Sequence, residues 1–80
     1  MIMYIYALRD RVAGQFRSVT LDEKDEVSKR NLSFSVNNNP QLAFMSKDLE
    51  LCCIGSMDTD TGVIKPENPI RLIVRADQHQ

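Results

Sequence analysis

The chain has 80 residues, enough for one domain and too few for two, because domains typically contain about 100–150 residues. Ten basic and eleven acidic side chains give a net charge of −1, which argues against a protein held to DNA by general positive charge. No apolar run approaches the roughly 18 residues of a membrane-spanning helix, so we expect no contact with a membrane.

The cysteine and histidine content limits the ways in which so small a domain can be stabilised. Cys52 and Cys53 are the only cysteines and are adjacent, so they do not pair with each other and fit a reducing compartment such as the cytoplasm. The only histidine, His79, lies in a polar C-terminal tail formed by residues 76–80. We therefore expect no metal and no cofactor. A domain of this size usually needs a further source of stability, so we expect a homodimer or larger homo-oligomer.

The N-terminal part of the chain predicts a β-hairpin. Residues Ile2 to Leu8 are apolar on both alternating faces, which is typical of a strand covered on both sides, by a helix and by another subunit. Arg9 to Gly14 is polar and ends in glycine, which favours a turn. Gln15 to Thr20 then alternates as a second strand.

The middle of the chain predicts one helix. Thr20-Leu21-Asp22-Glu23 fits a capping box, in which a threonine hydroxyl and a glutamate carboxylate accept backbone N–H groups at a helix start. We expect the helix to run from about Leu21 to Val36 and to stop at Asn37-Asn38-Asn39-Pro40. Asparagine tolerates turn conformations, and proline disfavours helix at the residue before it. Gln41 to Asp48 is compatible with a short helical turn or with an irregular crossover.

The C-terminal part of the chain predicts two more strands. Leu49 to Met57 alternates as a third strand, and Asp58 to Gly62 forms a turn. A short extended run follows, which Pro66 and Pro69 interrupt, and Ile70 to Ala76 makes the last strand. The side chains expected to face the core on that strand are Ile70, Leu72 and Val74.

The order β-β-α-β-β with short links predicts a single small α+β domain over residues 1–80, with a mostly antiparallel sheet and one helix packed on a face. Titratable side chains show no catalytic spacing, so we expect no enzyme and assign no catalytic residue.

Five arginines and two tyrosines form the candidate nucleic-acid site. They are Arg9, Arg11, Arg17, Arg71, Arg75, Tyr4 and Tyr6. Three of the arginines surround the first hairpin, and two share one face of the last strand. If those strands lie close together, a basic groove with aromatic platforms results, as in sequence-tolerant binders of single strands. The alternative is that the arginines solvate an exposed sheet face and pair with the acidic side chains.

A series of short motifs spans most of the chain. It begins with Tyr4-Ile5-Tyr6, Asp10, Ala13 and Phe16, continues with Arg30, Phe34 and Val36-Asn37-Asn38, and ends with Asp48, Leu51, Ile54-Gly55, Asp58, Thr61-Gly62, Pro69 and Leu72. In this series the chain resembles the small non-structural protein of gokushovirus-type microviruses, which are single-stranded-DNA phages. It departs from that pattern in having no aromatic residue near Cys52, no phenylalanine near Met57, and Ser46 where a proline is expected.

The resemblance implies a non-capsid phage protein, made in the cytoplasm of the host bacterium, with a role in phage DNA replication. Single-stranded DNA is then the expected partner of the arginines and tyrosines. The alternative is a protein–protein adaptor that oligomerises and modulates a host or phage replication factor without touching DNA. Salt distinguishes the two, because phosphate contacts weaken steeply as salt rises and an apolar protein interface does not.

Overall fold

A computed structural model describes residues 1–78, which form four strands and two helices. The elements are β1 (Ile2–Asp10), β2 (Gln15–Asp22), α1 (Asp25–Asn38), α2 (Pro40–Met45), a 3₁₀ turn (Ser46–Asp48), β3 (Leu49–Asp58), β4 (Ile64–Arg75) and a second 3₁₀ turn (Ala76–Gln78). The predicted α+β class is confirmed. Of the predicted polar tail, Ala76 is buried, and His79 lies outside the described residues.

The four strands form one antiparallel sheet in the order β2-β1-β3-β4. The apolar strand β1 is therefore central, while β2 and β4 are the two edges. Because β3 lies between β1 and β4, the first and last strands are not neighbours.

The hydrophobic core lies between one face of the sheet and the two helices. Its buried residues are Tyr6, Leu8, Leu32, Val36, Leu49, Leu51, Cys53 and Ala76. The strand members of this set alternate along β1 and β3, as expected for side chains that share one face of a sheet. Among residues 1–78 no helix is long and apolar enough to cross a membrane.

In the described residues 1–78, neither α1 nor α2 packs on the opposite face of the sheet, called the open face below. By alternation β1 directs Met3, Ile5, Ala7 and Arg9 toward this face. Their partners on neighbouring strands share the face and are Phe16, Leu21, Glu50, Cys52 and Met57, with Ile64, Leu72 and Arg75 one strand further on. The two apolar sides of β1 thus meet different surroundings, since α1 and α2 cover the side that carries Tyr6 and Leu8.

The predicted capping box is wrong, because three of its four residues, Thr20 to Asp22, belong to a strand. Thr20 pairs with Tyr6 and Asp22 pairs with Tyr4, so β2 continues to Asp22. Pairing with the central strand outweighs the local capping preference. The helix α1 instead begins at Asp25, and its N-cap residue Lys24 makes no side-chain capping hydrogen bond.

The predicted helix stop at the asparagine run lies close to the observed one, but the chain then starts a second helix. α1 ends at Asn38, and Asn39 caps α2 by accepting hydrogen bonds from the backbone N–H groups of Gln41 and Leu42. Pro40 is the first residue of α2, where its missing N–H costs nothing. The ambiguous segment 41–48 is therefore helical throughout.

The predicted interruption of the last strand by prolines is also wrong. β4 extends from Ile64 to Arg75 as one edge strand, in which residues that lack an N–H donor are tolerated, although its pairing with β3 is irregular between Pro66 and Arg71. Of the three residues predicted to face the core on this strand, Val74 packs against the core, whereas Ile70 and Leu72 are exposed. Register shifts between β3 and β4 pair Leu72 with Cys52 on the open face and reverse the expected orientation.

Candidate nucleic-acid interface

The five candidate arginines lie on both sides of the sheet. Arg9 and Arg75 are both cross-strand partners of Glu50 on the open face. Arg17 is paired with the core residue Leu8, and Arg71 with the core residue Cys53, so both are on the helix side. Arg11 lies in the turn between β1 and β2. The structure therefore does not bring these five side chains together on one surface.

Three of the five arginines are engaged by carboxylates. The guanidinium of Arg71 lies 3.0 Å from Asp25. That of Arg9 lies 3.3 Å from Glu50. That of Arg75 lies 3.1 Å from Asp77. Exposed pairs of this kind are worth about 0–1 kcal/mol, so phosphates could compete with the acids, but the local charge is already balanced.

The two candidate tyrosines pack into the fold. Tyr6 has no exposed surface, and its hydroxyl donates a 2.6 Å hydrogen bond to Asp25. Burial and the Asp25 carboxylate both raise the pKa of the Tyr6 hydroxyl, which stays protonated. Tyr4 is half-buried against the core. Tyr6 thus offers no ring face to a base in this conformation.

Arg17 is the candidate arginine with the least compensated charge. Among residues 1–78 no carboxylate lies within ion-pairing distance of it or of Arg11. Arg11 donates a 3.4 Å hydrogen bond to the backbone carbonyl of Lys47. Arg17 remains available to an anionic ligand.

Arg17 borders a groove of about 510 Å³ between β2 and the helices, called the groove below. Its floor is apolar and is formed by core residues such as Leu8, Leu32 and Leu51. Its polar wall on α1 consists of Ser28, Asn31 and Ser35, and its wall on β2 includes Arg17, Thr20 and Asp22. This volume falls in the range of about 300–1,000 Å³ that is usual for small-ligand sites.

The groove exists because the helix is anchored away from β2. Asp25, the first residue of α1, contacts Tyr6 on β1 and Arg71 on β4, at the far edge of the sheet. The helix start is thereby drawn across the sheet, and β2 is left exposed along nearly its whole length. A hydrogen bond connects α1 with β2 across this gap, because the side-chain amide of Asn31 donates to Asp22 at 3.1 Å.

The groove can bind a ligand that combines an anion with a flat, partly apolar body. Arg17 supplies the cation, the leucine floor supplies apolar contact, and hydroxyl and amide groups on α1 and α2 can bond polar edges. A nucleotide has this combination of groups. Among residues 1–78 no cluster of three or more His, Cys, Asp or Glu side chains could hold a metal ion.

The sequence signal for this groove lies in the uncharged polar residues of α1 and not in the arginines. Ser28, Asn31 and Ser35 are spaced by three and four residues and therefore share one side of a helix. That polar stripe lies beside the buried positions Leu32 and Val36. An amphipathic helix whose apolar stripe is flanked by hydroxyl and amide groups indicates a water-accessible groove at the edge of the core.

Fold and site together define a small α+β protein with a four-stranded antiparallel sheet, one covered face and a polar-walled groove. Residues 3–79 match the model of the family described as Phage ORF5 protein. The chain belongs to this family of phage proteins. No curated protein and no solved structure matches it.

Proposed function

We propose that this phage protein binds single-stranded DNA during replication of the phage genome, in the cytoplasm of the host bacterium, and that it acts by binding rather than by catalysis. The groove supports this proposal most directly, because it places the uncompensated Arg17 beside an apolar floor and polar walls. The resemblance to the non-structural protein of gokushovirus-type phages supports the choice of single-stranded DNA as the nucleic acid.

The groove fits an unpaired strand better than a duplex. Bases of a single strand can turn out of the stack and enter a pocket, whereas duplex bases are reached only along their groove edges. Asn31 and Gln41 carry side-chain amides, which hydrogen-bond base edges well, and both line the groove. Arg17 then meets the adjoining phosphate.

The weak overall charge predicts a modest salt dependence. With a net charge of −1, most binding energy must come from base contacts in the groove. Each phosphate contact on a single strand contributes about 0.7 to the slope of log affinity against log salt.

The test is a fluorescence-anisotropy titration of labelled single-stranded DNA at several salt concentrations. We expect Arg17→Ala to weaken binding several-fold and to lower the salt slope by about 0.7, the value for one phosphate contact. Arg30→Ala is the matched control, because Arg30 is exposed on α1 and does not line the groove. The absence of binding in low salt would refute direct DNA binding, and equal losses in both variants would exclude the groove.

A second candidate function is a protein adaptor for a host or phage replication factor. It is favoured by two phenylalanines on the helices, Phe34 and Phe44, which are 70% and 80% exposed. Exposed aromatic side chains are frequent in protein interfaces. Capture of a replication protein that survives high salt and is lost in Phe44→Ala, with no DNA binding in the titration, would favour the adaptor.

A further inference from the structure

We propose that the open face binds a second copy of this chain, so that two sheets pack face to face in a two-fold dimer. This inference goes beyond the proposed function and does not rest on it, because the groove lies on the other side of the sheet. It depends on the apolar surface, the charges, the area and the edges of the open face.

The open face exposes large apolar side chains on its two edge strands, β2 and β4. Leu72 is 57% exposed and Ile64 is 61% exposed on β4, and Phe16 and Leu21 are exposed on β2. Between these edges, β1 and β3 add the half-buried Met3, Ile5 and Met57. Small domains seldom leave a large apolar surface in water unless it meets a partner. The small side chains of Ala7 and Cys52 lie in the middle of the face and are covered by their neighbours, so the contact surface consists of the larger side chains around them.

The charges of the open face match those of a second copy. Arg9, Glu50 and Arg75 lie in one row at one end of the sheet, with Glu50 between the two cations. A two-fold axis brings each patch against an identical one, so a surface that carries both signs in one row can pair with itself. A polyanion would instead require unpaired cations, whereas Arg9 is paired with Glu50 and Arg75 with Asp77.

The area of the open face is sufficient for a stable dimer. Four strands at a spacing of about 4.8 Å, with about 3.3 Å per residue along each strand, give a face of roughly 550 Å² per copy. Pairing two such faces buries roughly 1,100 Å², without the additional surface of the protruding side chains. This area exceeds the roughly 1,000 Å² expected of a specific interface. Sheets packed in this way form the core of β-sandwiches.

The two edges of the sheet are poorly suited to the alternative, in which strands of two copies pair side by side. On β4 two prolines, Pro66 and Pro69, lack the N–H that a new neighbour would need. On β2 a register irregularity occurs where Ser18 adopts a φ of +57°. Such features oppose the pairing of edge strands between two copies, so packing through the open face is the favoured mode of association.

The test is sedimentation equilibrium of the purified full chain from micromolar to millimolar concentration, with circular dichroism as the check on folding. We expect a monomer–dimer equilibrium and a dissociation constant raised roughly 100-fold or more by Leu72→Lys. The substitution occurs twice in a two-fold interface, and each lysine places an unpaired charge against an apolar surface. Phe44→Lys is the control, since Phe44 is even more exposed but lies on the helix side.

Each outcome decides the proposal. Dimers that persist in Phe44→Lys and dissociate in folded Leu72→Lys support it. A wild-type protein that stays monomeric throughout, or a dimer that both variants disrupt equally, overturns it. Should Leu72→Lys fail to fold, Ile64→Lys on the same face serves as the second variant, and a dimer that it leaves intact overturns the proposal.

Discussion

At the scale of single residues, Asp25 joins three elements of the fold. It is the first residue of α1, it accepts a hydrogen bond from the hydroxyl of Tyr6 on β1, and it accepts two hydrogen bonds from Arg71 on β4. Hydrogen bonds from Arg71 hold the pKa of Asp25 below its ordinary value, and the Tyr6 hydroxyl adds to this effect, against the opposing effect of burial. Asp25 therefore stays charged at neutral pH and fixes the start of the helix.

We expect Asp25→Asn to lower the free energy of unfolding by about 1–2 kcal/mol, because it weakens charge-assisted hydrogen bonds to a fully buried tyrosine. Partial exposure of the ion pair with Arg71 keeps the loss at the lower end of this range. Denaturant unfolding at neutral pH measures the difference. Glu26→Gln, one position further along the same helix, removes an equal charge and should change stability by far less.

The same residue predicts how stability depends on pH. A carboxyl group with a depressed pKa contributes stability that is fully present above the unfolded value of about 3.9 and is lost as pH falls through the folded value. We therefore expect the stability gap between wild type and Asp25→Asn to be constant from neutral pH down to about pH 5 and to close below about pH 4. A gap that widens in acid would contradict the assigned role of Asp25.

At the scale of elements, Gly55 allows the close pairing of β3 with β4. A Cβ atom at this position would lie 2.7 Å from the backbone carbonyl oxygen of Lys65, which is too short for a real contact. Gly55 adjoins the register shift that reverses the faces of β4. The irregular pairing and the glycine are thus parts of one feature.

We expect Gly55→Ala to destabilise the protein by about 1–3 kcal/mol through this overlap with backbone atoms. Its amide hydrogen exchange should increase mainly along β3 and β4. Gly14→Ala is the control, because Gly14 has a φ of +69° in the β1–β2 turn but open space around it. Backbone strain in that variant should speed exchange in the hairpin and leave β4 protected. An equal increase in amide exchange over all strands in both variants would show that Gly55 has no special role in the pairing of β3 with β4.

The sequence predicts the elements better than their ends and faces. Alternation and turn residues locate all four strands, because strand periodicity is a local property. The start of α1 is missed, since pairing of Thr20 and Asp22 with β1 depends on residues far away in the chain. The face of Leu72 is missed for a similar reason, because two register shifts between β3 and β4 decide which side chains of β4 face the core.

At the scale of the whole molecule, the candidate site is the part that the sequence predicts least. Arginines can be counted in a sequence, but their distribution over two faces follows from strand order and from irregularities in register. Arg17 and Arg9 are both on the first hairpin, yet their partners Leu8 and Glu50 place them on opposite sides of the sheet. The groove likewise depends on a helix anchored by Arg71, which local patterns do not reveal.

The opposite placement of groove and open face predicts how dimerisation affects DNA binding. Two grooves on the outer sides of a dimer can hold one strand together, provided that the strand is long enough to reach both. We expect Leu72→Lys to weaken binding of a long oligonucleotide and to leave the affinity for a short one nearly unchanged. Parallel anisotropy titrations with the two lengths measure this. Equal weakening for both lengths would indicate that the open face itself contacts DNA.

The adjacent cysteines end on opposite sides of the sheet, and this gives the protein two chemical reporters. Cys53 belongs to the helix-side core, whereas Cys52 lies on the open face beside Leu72. Burial and the nearby charge of Glu50 raise the pKa of the Cys52 thiol, against a smaller opposing effect of Arg9, so its alkylation at neutral pH is slow. Labelling of Cys52 therefore follows local opening of one surface, while labelling of Cys53 requires the core itself to open. The labelling rates of two neighbouring thiols thus report two separate opening events in the same molecule.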